Sequence, residues 1–203
     1  MKFLLAVSRF IDAINRHIGQ AVTWLTLIVV FVSAGNAVVR KVFHTRSNAW
    51  LELQWYLFGA IFLLAAGYTF LRNEHVRVDV LAMRFSARAQ VYIEIIGIVF
   101  FLFPAAALIF WLSLPYFYES YRLQELSSNT GGLIRWPVKL LIPVGFGLLM
   151  LSGVSRLIKC IAFLAGAGPN PMVPEKTTSA EEELAEEIRK RNEARLNGGV
   201  QGQ

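Results

Sequence analysis

Residues 48–81 read NAWLELQWYLFGAIFLLAAGYTFLRNEHVRVDVL. No charge interrupts the run between Glu52 and Arg72. A helix needs about 20 residues to cross the ~30 Å hydrocarbon layer of a bilayer, and this run supplies them. Its opening turns carry an acid, Glu52, and an amide, Gln54. It ends in a dense polar knot, Arg72-Asn73-Glu74-His75-Val76-Arg77-Val78-Asp79. A plain lipid anchor rarely needs such ends, so the stretch reads as a membrane span shaped to meet protein.

The rest of the chain repeats the pattern. Of its 203 residues, 55% are apolar, and charge is confined to short segments between long neutral ones. Residues 18–39 and 95–118 carry no charge. Residues 140–155 form a shorter neutral run, and the apolar pattern continues to about Leu164 if Arg156 and Lys159 extend to the head groups. Only helices and closed barrels satisfy backbone polar groups in lipid, and barrel strands alternate apolar with polar residues. These runs do not alternate. The expected fold class is all-α integral membrane protein with four transmembrane helices, near 18–39, 50–71, 90–114 and 138–164.

Outside the spans, Phe3, Val7, Phe10, Ile11, Ile14 and Ile18 share one helical face, with Arg9, Asp12 and Arg16 off it. Residues 1–17 therefore read as an amphipathic helix lying in the interface, or as a simple extension of the first span. Val80, Leu81 and Phe85 suggest a short membrane-parallel helix in loop two, and Ser86 is placed to cap the helix that follows. Pro104 is a candidate kink. Residues 166–203 form a polar tail. Ser179-Ala180-Glu181-Glu182 has the pattern of a capping box, and i,i+4 pairs such as Glu186–Lys190 predict a charged helix near 180–196. Trp50, Trp55, Trp111 and Trp136 fall near span ends, as head-group aromatics do.

Charge sets the orientation. The N-terminal segment, loop two and the start of the C-terminal segment hold nine Lys and Arg near the spans, against six on the opposite side. The excess predicts that both termini are cytoplasmic. The formal charge of +6 belongs with anionic lipid, and no nucleic-acid motif accompanies it. The single cysteine, Cys160, excludes an internal disulfide.

Little in the chain suggests catalysis. His17, His44 and His75 all lie outside the spans, which argues against axial haem ligation. No cluster has metal-ligand spacing, no glycine loop suits a nucleotide, and no nucleophile has an evident base. No enzyme and no cofactor is expected. Two acids near the membrane, Glu52 and Glu94, raise a proton-relay reading, but the topology puts them near opposite membrane faces. Each is read instead as a helix-locking ion pair, an interfacial acid or a partner contact. Glu52 has Arg135 and Lys139 as nearby bases, and Glu94 has Arg88, Arg156 and Lys159. Glu52, Trp55, Tyr56 and Gly59 share a helical face that suits either a partner subunit or the interface. In the knot, His75, Arg77 and Asp79 suit a local turn network with Asp79 as a cap. They also suit a lipid phosphate or a partner loop.

The 51–81 segment, taken with GGLIRWPVKLLIPVGFGLLML at 131–151, resembles the four-helix small membrane subunit of tripartite ATP-independent periplasmic (TRAP) transporters. His-Val-Arg-Val-Asp and Arg-Trp-Pro…Ile-Pro-Val-Gly-Phe are the most specific parts, and the resemblance covers most of residues 15–165. It implies a bacterial inner-membrane location and two protein partners. One is a periplasmic binding protein that captures an organic acid. The other is a large membrane subunit that moves substrate with sodium in an elevator-like manner. The small subunit would be its fixed scaffold, with sodium held on the large subunit and not on this chain. The residues further suggest a binding-protein dock bordered by Arg46 and Arg135, helix or partner contacts at Trp136 and Lys139, and phospholipid between the subunits. The alternative reading is a stand-alone four-helix channel or an accessory subunit of another inner-membrane complex.

Overall fold

A computed structural model describes residues 1–43, 47–72, 85–171 and residues 188, 189 and 191. The chain divides into two compact units, Met1–Met172 and Val173–Gln203. In the second, the described residues Ile188, Arg189 and Arg191 are helical. Of the loop-two helix expected around Val80, Leu81 and Phe85, all but Phe85 lies outside the described residues, as does most of the tail helix.

Four helices build the first unit: α1 (Lys2–Val42), α2 (Asn48–Arg72), α3 (Ala87–Arg122) and α4 (Trp136–Leu164). All four are long and apolar enough to cross a membrane. They run alternately up and down. One end of the unit carries the α1–α2 and α3–α4 connections and is called here the loop end. The other carries the start of α1 and the end of α4, the terminal end. α4 packs against all three other helices, whereas α3 packs chiefly on α4.

Residues 1–17 form no separate element. α1 is one helix of 41 residues, about 60 Å long at 1.5 Å per residue, so it outruns the ~30 Å hydrocarbon layer. Phe3 and Phe10 stand 78% and 67% exposed, while Asp12 is only 6% exposed. Ser8, Asn15, Val22 and Val29, seven residues apart, are all buried. A seven-residue period lies close to two helical turns, so it lays a nearly straight stripe along the helix. That stripe meets the bundle and carries polar groups at the terminal end. Beside lipid, large apolar side chains gain nothing by turning inward, whereas polar ones do.

Glycines set the closest helix approaches. A Cβ on Gly19 would strike the Tyr68 ring at 2.3 Å, so α1 lies directly against that aromatic face of α2. A Cβ on Gly145 of α4 would lie 2.8 Å from both the Cβ and the carbonyl oxygen of Leu63 on α2. Without a strong hydrophobic drive between helices in lipid, such small residues let backbones approach and gain dispersion contact.

α3 is capped by Ser86, whose hydroxyl accepts from the Ala89 N–H at 3.4 Å. Its middle, Ile98–Leu102, widens to a π-helical turn in which Phe103 N–H bonds to the Ile98 carbonyl. Pro104 follows at once. Proline has no N–H to give and its ring crowds the carbonyl four residues back, so the ladder shifts register there.

Candidate functional site

The polar groups of the first unit gather at its two ends. At the loop end, the α3–α4 connection folds into a small hairpin. Leu126 and Ile134 pair antiparallel, with Ser127 N–H bonded to Leu133 O at 3.0 Å and Arg135 N–H to Glu125 O at 2.8 Å. Gly131 turns the tip with φ of 72°, a left-handed conformation that glycine adopts without a Cβ clash. The hairpin tip is tied to α2 by Asn48, whose amide donates to the Thr130 carbonyl at 3.0 Å.

Glu52 fills the inside of this hairpin. Its carboxylate accepts from the Leu133 N–H at 2.7 Å, from Asn129 Nδ2 at 2.8 Å and from the Ser127 hydroxyl. Four acceptor sites on an ionised carboxylate suit such a converging set of donors. Arg135 and Lys139 do not reach it. They turn to Glu125 at the base of the hairpin, Lys139 by a direct hydrogen bond and Arg135 at 3.6 Å. The ion-pair partner expected for Glu52 is therefore replaced by loop amides and a hydroxyl, because Glu125 stands nearer to both bases. Glu125 lies outside the spans. Its bond from the Lys139 ammonium holds its carboxyl below the usual carboxylate range. The Lys139 Nζ also sits 3.9 Å from the centroid of the Tyr116 ring, a cation–π contact. Trp136 meets Tyr121 edge-on at 5.4 Å, and Arg135 donates to the Ser128 hydroxyl at 3.2 Å.

At the terminal end, Glu94 of α3 pairs with Arg156 of α4 at 3.2 Å. Lys159, another base within reach in sequence terms, goes to Asp12 of α1 at 2.6 Å. Ser155 donates to the same carboxylate, and its hydroxyl lies 2.7 Å from that of Ser8. Further along the seam, Ser152 donates to the Gly67 carbonyl of α2 at 2.9 Å. Gly67 has no room for a side chain: a Cβ would lie 2.4 Å from Asn15 Oδ1. α1 and α2 are thus joined to α4 by buried polar contacts, and α3 by a part-buried ion pair. Sequence reasoning passed over Ser8, Asp12, Asn15, Ser152 and Ser155. The available signal was the matched spacing, Ser8-Asp12-Asn15 on α1 against Ser152-Ser155-Lys159 on α4.

The structure brings Glu52 together with the 127–133 loop, and Arg135 and Lys139 together with Glu125. Glu94 stands with Arg156 at the other end, so the two acids do not form a pair. Trp55 stands 75% exposed, away from the bundle, while Tyr56 on the next position is half-buried. Among the described residues, no three His, Cys, Asp or Glu side chains come together as a metal site would require. His75, Arg77, Asp79 and Arg46 lie outside the described residues.

These features describe a membrane unit with polar locks at both ends and an ordered loop between its last two helices. Over residues 28–163 the chain matches the family model described as "Tripartite ATP-independent periplasmic transporters, DctQ component". The chain belongs to that family. The match takes in α2, α3, the Glu52-held hairpin and nearly all of α4. This is therefore a small TRAP permease component and a multi-pass membrane protein. The DctQ family works with a DctM component and a periplasmic binding protein. Neither a curated protein nor a solved structure matches the chain.

Proposed function

We propose that this DctQ-family chain is the fixed scaffold of a sodium-coupled TRAP transporter for organic acids. In this reading it sits in a bacterial inner membrane with both termini cytoplasmic. It holds the large elevator-type subunit in place and helps to receive the periplasmic binding protein. Substrate and sodium stay on the large subunit.

The observation that carries the reading is the Glu52-held hairpin. A transport subunit that moves must change its contacts, whereas here one carboxylate fastens the α3–α4 connection to α2 through three bonds. The end locks Asp12–Lys159 and Glu94–Arg156 have the same character. A moving domain needs something fixed to push against, and a frame whose polar groups bind one another supplies that.

The loop end then faces the periplasm. Arg135 on the hairpin and Arg46 in the α1–α2 connection border the surface offered to the binding protein. Phospholipid fills the remaining gaps against the large subunit, drawn by the basic helix ends and exposed aromatics. Reconstitution decides the matter. Large subunit and binding protein without this chain should show little or no sodium-driven uptake, and adding the chain should restore it. Normal uptake in its absence overturns the scaffold reading. Ion conduction by the chain alone in a planar bilayer would instead establish the stand-alone channel.

A further inference from the structure

The buried stripe on α1 does not stop at Val29. Its next member in the series Ser8, Asn15, Val22, Val29 is Asn36, which is only half-buried. Ser33 on the same face is half-buried too, and Ala37 and Arg40 beyond it are exposed. The face that meets the bundle along most of α1 is thus progressively uncovered toward the loop end. Across the short connection, Gln54 of α2 is half-buried. It lies two heptads before Tyr68, whose ring covers Gly19 of α1, so it falls on the side of α2 that faces α1.

Ser33, Asn36 and Gln54 have no side-chain hydrogen-bond partner among the described residues. All three belong to the neutral runs that cross the hydrocarbon. Asn36 is four residues inside Arg40, and Gln54 six residues inside the start of α2 at Asn48. On antiparallel helices joined by a short connection, these positions lie at similar depth. Two amides and a hydroxyl on the outer halves of α1 and α2 are therefore left without a bond at this depth, and an acyl chain can satisfy none of them. A protein helix can, through its own amide or hydroxyl side chains. Small neighbours leave room for it: a Cβ on Gly35 would meet nothing within 4 Å, and Ala34 and Ala37 are exposed.

We infer that the notch between the outer halves of α1 and α2 receives a transmembrane helix of the large membrane subunit, bonded through Asn36 and Gln54. The inference rests on the scaffold reading and deepens it by naming the face that meets the large subunit. The occupying helix carries a polar side chain at this depth, flanked by small residues.

The test is co-purification of the co-expressed complex, read by native mass spectrometry, with Asn36→Leu and Gln54→Leu singly and together. The double variant should lower the recovery of large subunit per small subunit at least tenfold. The small subunit alone should melt as the wild type does, because neither side chain bonds to another described residue of its chain. Unchanged recovery overturns the inference. So does a loss of bound phospholipid with the large subunit retained, which would make the notch a lipid site.

A second measurement does not depend on a destabilised interface. A thiol at Asn36→Cys should cross-link to the large subunit, and one at Phe31→Cys on the opposite face of α1 should not. The reverse pattern overturns the inference. Should the wild-type chain itself fail to co-purify with a large subunit, the scaffold reading falls and this inference with it.

Discussion

A Cβ placed on Gly132 would lie 2.8 Å from both carboxylate oxygens of Glu52. It would also approach the Ser127 Cβ to 2.4 Å. The hairpin therefore closes over the acid with no space for even a methyl group. Gly132→Ala should push the loop off Glu52, lower the melting temperature in detergent and speed proteolysis between residues 123 and 135. A melting curve and cleavage pattern like those of the wild type would show that the loop gives way freely.

Glu52→Gln keeps the shape of the side chain but loses the charge and turns one oxygen into a donor. Three donors converge on the carboxylate, so the amide leaves at least one of them facing another donor. The expected outcome is the same loosening of the hairpin, together with weaker binding of the periplasmic protein at the loop end. Titration of the purified binding protein onto the reconstituted complex measures the second effect.

Asp12 and Lys159 tie α1 to α4, with the carboxylate buried and the lysine side chain 32% exposed. Removing Asp12 leaves a lysine that water or head groups can still reach, so the cost falls below that of breaking a fully buried pair. Asp12→Ala should therefore destabilise the unit measurably, through the lost ion pair and the lost bond from Ser155. The double change Asp12→Leu with Lys159→Met should cost much less than the sum of the single changes. Additive losses in denaturant melts would show that the two side chains are not coupled.

Acid should loosen the base of the hairpin through Glu125. Lys139 lowers the Glu125 carboxyl from its ordinary value of 4.5, so the bond contributes stability that is fully present above pH 4.5. That contribution is lost as pH falls below 4.5 through the folded-state value. Glu125→Gln should remove this acid-dependent part of the melting profile. A variant that keeps the full acid dependence would assign it to other carboxylates.

Binding-protein docking gives the last prediction. Charge reversal at Arg46, Arg46→Glu, should weaken docking by about tenfold, with a steeper loss at low salt, because rim charges act mainly on the encounter rate. Assembly with the large subunit should be unchanged. Equal docking across salt concentrations would place the binding surface elsewhere.

The four spans were legible because the bilayer imposes a length and forbids charge, and both constraints act locally along the chain. Ser86 as a cap was legible for the same reason, since a capping hydroxyl reaches only its own first turn. The polar contacts were less so. Glu94 meets Arg156, one of the bases its topology allowed, but Glu52 passes over Arg135 and Lys139 for Ser127, Asn129 and Leu133. Backbone N–H groups are present at every residue except proline, so nothing in the sequence marks which of them a loop will turn toward a carboxylate.

By itself, the sequence determined that this is a four-span helical membrane protein, which acids lie at which end, and which transporter family it resembles. Only the tertiary structure decided which face of α1 turns inward. Beside lipid the choice falls to groups that find partners on α4, Ser8 and Asp12, while Phe3 and Phe10 stay outward. It also decided that Glu52 holds a loop and not a base. That outcome depends on where the α3–α4 hairpin settles against α2, a relation between residues some eighty positions apart that no local pattern records.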